Sequence, residues 1–329
     1  MNWLGKKVLV TGAGGFIGST LVETLVDAGA NVTAFLHYNS RNDPGLLRFV
    51  PATVRESVQY YFGDLRDPQG VQKAMHGQEV VFHLGALIGI PYSYVHPHDV
   101  VQTNLLGTLN VLMAAKELEV ERVIHTSTSE VYGTARYVPI DEIHPLQGQS
   151  PYAASKIGAD KLAESFHLSY HLPVSTVRPF NTYGPRQSAR AIIPTIIVQM
   201  LTKERIKLGS LHPRRDFTFV TDTASGFVKA AVSDATIGDV INLGSGQEIS
   251  IGELFHLIRD LVGRDVALEV EDERMRPSGS EVERLLADNK KAQKLTGWTP
   301  SVSFTEGLQK TINWIDAHLD LYQVDKYTI

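Results

Sequence analysis

Two short segments carry side chains that could do acid–base chemistry on an alcohol. Ser127-Thr128-Ser129-Glu130-Val131-Tyr132-Gly133 supplies hydroxyls and a carboxylate, and Tyr152-Ala153-Ala154-Ser155-Lys156 supplies a phenol and an ammonium four residues apart. On a helix that spacing puts Tyr152 and Lys156 on one face. A free tyrosine ionises near pH ~10, and a neighbouring cation lowers that value, so the pair reads as a phenol made ready to take a proton. The same spacing recurs at Tyr322 and Lys326, in what reads as a solvated tail. The first copy gains weight from its surroundings.

The elements that must position these groups are legible from periodicity. Arg122-Val123-Ile124-His125 is a β-branched apolar run that delivers the first segment from a strand end. Lys7–Thr11 is another such strand, followed by Gly12-Ala13-Gly14-Gly15-Phe16-Ile17-Gly18 and an amphipathic helix that stops near Gly29. Glycines at 12, 15 and 18 let backbone approach a pyrophosphate, and the helix start offers N–H groups and a positive dipole end. The alternative is a merely tight turn. Further strands are expected at 31–36, 58–62, 80–84 and 174–177, alternating with helices, which predicts a doubly wound parallel sheet. Ligands of such sheets bind beyond the carboxyl ends of the strands, where Gly12–Gly18, Asp64, Gly85 and Thr128–Glu130 all fall.

At the end of the second strand, the carboxylate that usually meets an unphosphorylated adenosine ribose is missing. His37, Asn39, Ser40 and Arg41 stand there instead and suit a 2′-phosphate, so the loop favours NADP, with NAD as the alternative. Asp64 would meet the adenine amine or cap the next helix. His83 reads as a buried structural imidazole. Beyond Val177 the segment Arg178–Gln187 is polar and turn-rich, and a second, smaller α/β lobe is expected. The dinucleotide domain is placed at 1–180, rejoined by about 216–245, and the substrate lobe mainly at 181–329. Arg186, Arg215 and Arg276 are candidates to clamp a second diphosphate, with at least one of them a plain salt-bridge partner.

Composition narrows the classes. The 329 residues are 43% hydrophobic and 20% charged, with net charge −5 and no cysteine. Nucleic-acid and anionic-membrane binding are disfavoured, and disulfides, thiolate catalysis and sulfur-ligated metal are excluded. No apolar run reaches membrane-spanning length and no signal peptide is evident, so a cytoplasmic protein is expected. Glu164, His167 and His171 have helical spacing but lack the metalloprotease order and read as a solvated helix face.

Taken together, Thr11–Gly18, Gly63-Asp64-Leu65, His83-Leu84-Gly85-Ala86, Ser127–Gly133, Tyr152–Lys156, Arg178-Pro179-Phe180-Asn181, Arg215–Val220 and Arg276-Pro277 resemble the extended short-chain dehydrogenase/reductases, specifically the nucleotide-sugar epimerases and dehydratases, over nearly the whole chain. Ser127–Ala135 and Asn181–Arg190 look like the dehydratases that open legionaminic and pseudaminic acid routes and act on nucleotide-linked N-acetylglucosamine. The resemblance implies a Rossmann domain whose cofactor set is Gly12, Gly15, Phe16, Ile17, Gly18, the 37–41 loop, Asp64, Leu65, Leu84 and Ala86, with Tyr152 and Lys156. It implies that Tyr152 takes the C4 hydroxyl proton, that Thr128 bonds the C4 oxygen, that Asn181, Arg215 and Arg276 hold the diphosphate, and that Glu281 approaches the nucleoside ribose. Glu130 would remove the C5 proton once C4 is a ketone. Glucose-type dehydratases carry Asp where this chain has Ser129, so the proton for the departing C6 hydroxyl would come from Glu130 or from a water on Ser129. The expected activity is a UDP-N-acetylglucosamine 4,6-dehydratase, with hydride return or release of a 5,6-ene. The alternatives are a C4 epimerase, a nucleotide-uronate decarboxylase and a non-catalytic nucleotide-binding regulator. A homodimer through helices at roughly 97–116 and 152–171 is expected.

Overall fold

The computed structural model describes residues 1–271 and 278–322. Within these residues the chain lays down β1 (Lys7–Thr11), β2 (Asn31–His37), β3 (Gln59–Gly63), β4 (Val80–His83), β5 (Arg122–Thr126) and β6 (Val174–Pro179). There follow β7 (Asn181–Tyr183), β8 (Arg205–Leu208), β9 (Arg214–Phe219), β10 (Val240–Leu243), β11 (Glu248–Ser250), β12 (Ala267–Val270) and β13 (Arg284–Leu285). Seven of them form one parallel sheet in the order β10-β6-β5-β4-β1-β2-β3. The central strands are apolar on both faces, and all four residues of β4 are buried, as a sheet covered on both sides requires. One layer packs helices Phe16–Asp27 and Val220–Val232 through Leu21, Leu25 and Phe227. The other packs Pro68–Met75, Gly107–Glu117 and Pro151–Tyr170 through Val71, Met75, Leu112, Ala163 and Phe166. Strand order reverses between β1 and β4, so a crevice opens there at the carboxyl edge.

The smaller lobe holds a sheet of β11, β9 and β13, with β7 also paired to β9, and a parallel pair of β8 and β12. Helices Ile192–Thr202, Ile251–Val262 and Phe304–Ala317 cover its core of Ile196, Ile197, Leu254, Phe255 and Ile312. Ser250 and Glu253 close a capping box on the second of these helices, which satisfies orphan N–H groups at its start. After β9 the chain returns to the main sheet through helix Val220–Val232 and β10.

Two expectations change here. Tyr322 is no solvated tail: it is buried in the small-lobe core, and its hydroxyl donates to the Gln187 carbonyl at 2.9 Å. Its partner in spacing, Lys326, lies outside the described residues. The helix expected at 97–116 is interrupted: Pro97–Val101 and Gly107–Glu117 flank a wider, π-type turn at Gln102–Leu106. The reason is Asn104, fully buried in that turn. It donates to the Leu87 carbonyl (2.9 Å) and Ser155 Oγ (3.0 Å) and accepts from the Leu87 N–H (2.7 Å).

Candidate active site

The glycine turn is shaped for close backbone approach. Gly12 has φ +70°, and a Cβ there would meet the Gly85 nitrogen at 2.8 Å; one on Gly18 would meet the Gly12 carbonyl oxygen at 2.2 Å. Gly15 stands at the start of helix Phe16–Asp27, with no side chain capping the helix and no acid in its first turn. The first N–H groups therefore point at the crevice without a competing anion, which suits a pyrophosphate. At the β2 edge, His37, Ser40 and Arg41 are exposed. Asn39 serves the loop itself: its amide donates to the Asp43 carbonyl and accepts from the N–H groups of Arg41 and Asp43. Asp64 does not cap the next helix. Asp67 does so, accepting from the Gln69 N–H. Asp64 is bound by the Arg66 guanidinium, at 2.6 Å from Nη2, which holds its carboxyl below the usual range. Leu65 and Gly85 are in contact range, since a Cβ on Gly85 would meet Leu65 Cδ1 at 2.7 Å.

The carboxyl end of β5 and helix Pro151–Tyr170 deliver the acid–base groups together. Ser150 caps that helix through the Ala153 N–H at 3.1 Å, and Pro151 starts it, which fixes where Tyr152 emerges. Tyr152 is 7% exposed and Lys156 3%. Lys156 Nζ donates to the Thr126 carbonyl at 2.6 Å, and burial pushes its ammonium down to about 8. Burial also pushes the Tyr152 phenol up; the facing Thr128 hydroxyl pulls it down, and the charges of Glu130 and Asp160 raise it further. Removal from water is the largest influence on this phenol, ahead of the hydroxyl and the charges that face it. Thr128 caps the short turn Ser129–Tyr132 by accepting from the Glu130 N–H at 3.2 Å. Glu130 is half-buried, and among the described residues its carboxylate has no hydrogen bond or ion pair. Ser129 is buried.

Behind this surface lies a polar layer that sequence reasoning passed over. Asp160, one turn after Lys156, accepts from Ser127 Oγ (2.8 Å), from His125 Nε2 (3.1 Å) and from Arg178 Nε and Nη2 (3.1 and 2.9 Å). Arg178 belongs to β6 and is buried, where a polar turn was expected. A charge inside an apolar strand was the available signal. His83 is a buried neutral imidazole. Thr108 donates its hydroxyl hydrogen to the Asn104 carbonyl, so it accepts from His83 Nε2 at 3.0 Å, and His83 Nδ1 accepts from Thr11 Oγ1 at 2.8 Å. Burial holds its pKa well down.

The expected substrate residues divide. Arg215 and Glu281 come together at 3.3 Å on the small-lobe side, and the Asn181 amide donates to the Asp216 carbonyl at 3.4 Å. Asp216 is fully buried and gathers two loops by accepting from the N–H groups of Ser245 and Gly246 in one and Ala287 in the other. Arg186 is engaged elsewhere. It bridges to Glu23 (2.9 Å) and Thr20 (3.1 Å) on helix Phe16–Asp27 and so ties the lobes together. Its partners lie more than 160 residues away in sequence, and no local pattern announces them. Arg276 lies outside the described residues. Glu164 pairs with Lys161, His167 Nδ1 bonds the Leu172 carbonyl, and no metal-binding cluster exists among the described residues.

Residues 9–311 match the family model described as GDP-mannose 4,6 dehydratase. The chain is 34% identical over 319 residues to a dTDP-glucose 4,6-dehydratase of Streptomyces griseus, covering 94% of each. It is 32% identical over 315 residues to a UDP-glucose 4-epimerase of Mycolicibacterium smegmatis, covering 94% of this chain and 98% of that one. Among solved structures, the dTDP-glucose 4,6-dehydratase of Streptomyces venezuelae with NAD and TYD bound superposes with TM-score 0.87 at 28% identity, covering 96% of this chain and 98% of the other.

Proposed function

We propose that this chain, which belongs to the extended short-chain dehydrogenase/reductase family of nucleotide-sugar dehydratases and epimerases, is a 4,6-dehydratase acting on UDP-N-acetylglucosamine. The observation that carries this reading is Glu130: a half-buried carboxylate with no hydrogen-bond or ion-pair partner among the described residues, beside Tyr152 and Thr128, where a second proton can be handled. An enzyme that only inverts C4 moves one hydride and one proton, and Tyr152 supplies all the acid–base chemistry that reaction needs.

The glycine cradle and the uncapped helix start fit a dinucleotide cofactor. The chemistry such a cofactor supplies when bound is reversible hydride uptake, together with a positive charge in its oxidised form that favours the phenolate. Tyr152 takes the proton of the C4 hydroxyl, and Thr128 orients that oxygen. Lys156 anchors the ribose side and keeps its charge against the Thr126 carbonyl. Glu130 removes the C5 proton, which the C4 ketone has made acidic. Because Ser129 is shut away and Glu130 is not, the same carboxyl then protonates the departing C6 hydroxyl, and return of the hydride to C6 with protonation at C5, or to C4 with release of a 5,6-ene, would leave the net change as loss of one water. Between the two dinucleotides, the absence of an acid at 37–41 and the exposed Arg41 favour NADP, whereas the solved S. venezuelae relative carries NAD. Releasing and identifying the cofactor from purified protein decides between them. Arg215, Asn181 and Glu281, with Arg276, are assigned to the nucleotide end of the substrate. Exposed apolar residues on the paired helices, Val101, Leu106, Met113 and Leu168, support a homodimer.

The test is incubation of the enzyme with UDP- and GDP-N-acetylglucosamine and mass analysis of the product. Loss of one water is expected, with UDP preferred. An unchanged mass with both sugars would remove the reading.

A further inference from the structure

A single guanidinium holds both ends of the turn that carries Thr128, Ser129 and Glu130. On one side Arg178 forks onto Asp160, whose carboxylate also holds the Ser127 hydroxyl just before the turn. On the other, Arg178 Nη1 donates to the Tyr132 hydroxyl at 2.9 Å at the end of the turn, with its Cζ 4.9 Å over the Tyr132 ring. The Tyr132 hydroxyl in turn donates to Asn242 Oδ1 at 2.7 Å, and Asn242 donates to the Ile140 carbonyl at 3.1 Å. Asp160 lies on the helix that presents Tyr152 and Lys156, one turn beyond the lysine.

Such an arrangement is costly if stability is its only result. Two buried charges forgo water, and an apolar pair of similar size would often hold the fold as well or better. What an apolar pair cannot do is fix direction. The fork sets the angle between β6 and the catalytic helix, and the third nitrogen sets the far end of the turn. We infer that Arg178 is a positioning residue that locks the turn bearing Glu130 against the helix bearing Tyr152 and Lys156, and so aligns the C5 base with the C4 phenol. The activity half of this inference rests on the dehydratase reading above; the structural half does not.

The test uses two variants of the full chain. Tyr132→Phe removes one hydroxyl and keeps the ring; Arg178→Lys keeps a charge and loses the fork. Amide hydrogen exchange is read at Glu130, Val131 and Gly133, whose N–H groups all bond within the turn. The expected result is exchange faster by about fivefold or more at these amides in each variant that folds, with the other strands of the main sheet unchanged. With UDP-N-acetylglucosamine, Tyr132→Phe should lower water loss by about 100-fold while appearance of reduced cofactor falls much less, and KM should stay near that of the parent. Unchanged exchange in Tyr132→Phe, or equal loss of both chemical steps alongside a fall in Tm, overturns the inference. If the parent enzyme eliminates no water, the dehydratase reading fails by itself, and exchange alone decides the positioning role.

Discussion

At the scale of single residues, the site sets two titratable groups against their solution behaviour for one cause, exclusion of water. The Lys156 ammonium falls from 10.5 to about 8. As pH drops from 10.5 towards 8, the unfolded chain takes up this proton and the folded one does not, so stability declines over that window and levels off below it. The shift corresponds to roughly 3 kcal/mol against folding at neutral pH, and replacing the lysine leaves the Thr126 carbonyl without its donor, at a cost of about 1 kcal/mol. Lys156→Met is therefore expected to stabilise the protein by about 2 kcal/mol while abolishing turnover, read by denaturant melts at pH 7 and pH 10; the gain should shrink at the higher pH. Glu130→Gln should leave C4 oxidation intact, seen as reduced-cofactor absorbance, and lower water loss by about 100- to 10,000-fold. Both candidate segments stood out in sequence because their groups sit close together along the chain, and the fold sets the Thr128–Glu130 turn beside Tyr152. The second layer was not. Asp160 meets Arg178 from 18 residues away and Arg178 meets Tyr132 from 46, and only a fold brings such pairs into register.

Elements were easier to read than residues, because strand periodicity and glycine turns are local signals. All six strands expected in the first 180 residues appear, within about two residues of their expected bounds. The break in the 97–116 helix was hidden, since its cause is a tertiary bond from Asn104 to Leu87 and Ser155. The cofactor turn makes its own prediction. Gly18→Ala would place a methyl 2.2 Å from the Gly12 carbonyl oxygen, which only a shift of backbone relieves. Dinucleotide affinity should fall by about 10- to 100-fold, measured by calorimetric titration of cofactor-stripped protein. Gly77→Ala serves as the control. It also has positive φ (+74°) but nothing within 4 Å, so it should cost roughly 1–2 kcal/mol of stability and leave binding unchanged.

Taken as a whole molecule, the chain is two lobes whose joint is part of the site. The catalytic turn shares a small core with the far lobe, where Val131 and Tyr132 pack with Val282, Leu285 and Ala287, and Arg186 crosses to Glu23 on the cofactor helix. Residues from both lobes thus brace the turn bearing Glu130 and the helix after the glycine motif. On the outside, Leu168 and Tyr170 on one helix and Met113 on its neighbour are 70%, 51% and 41% exposed, apolar surface suited to a two-fold partner. Met113→Glu combined with Leu168→Glu should convert a dimer to a monomer in sedimentation equilibrium, whereas an unchanged mass would dismiss that face as the contact. The central claim is that Glu130 turns an alcohol oxidation into loss of water, and the parent enzyme turning over UDP-N-acetylglucosamine in heavy water tests it most directly. Proton removal at C5 predicts a product lighter by one water, carrying solvent deuterium at C5 where the hydride returns to C6 and none where a 5,6-ene is released. A product with all its oxygens and no deuterium on carbon would mean that hydride transfer at C4 is the whole reaction, and the account would be wrong.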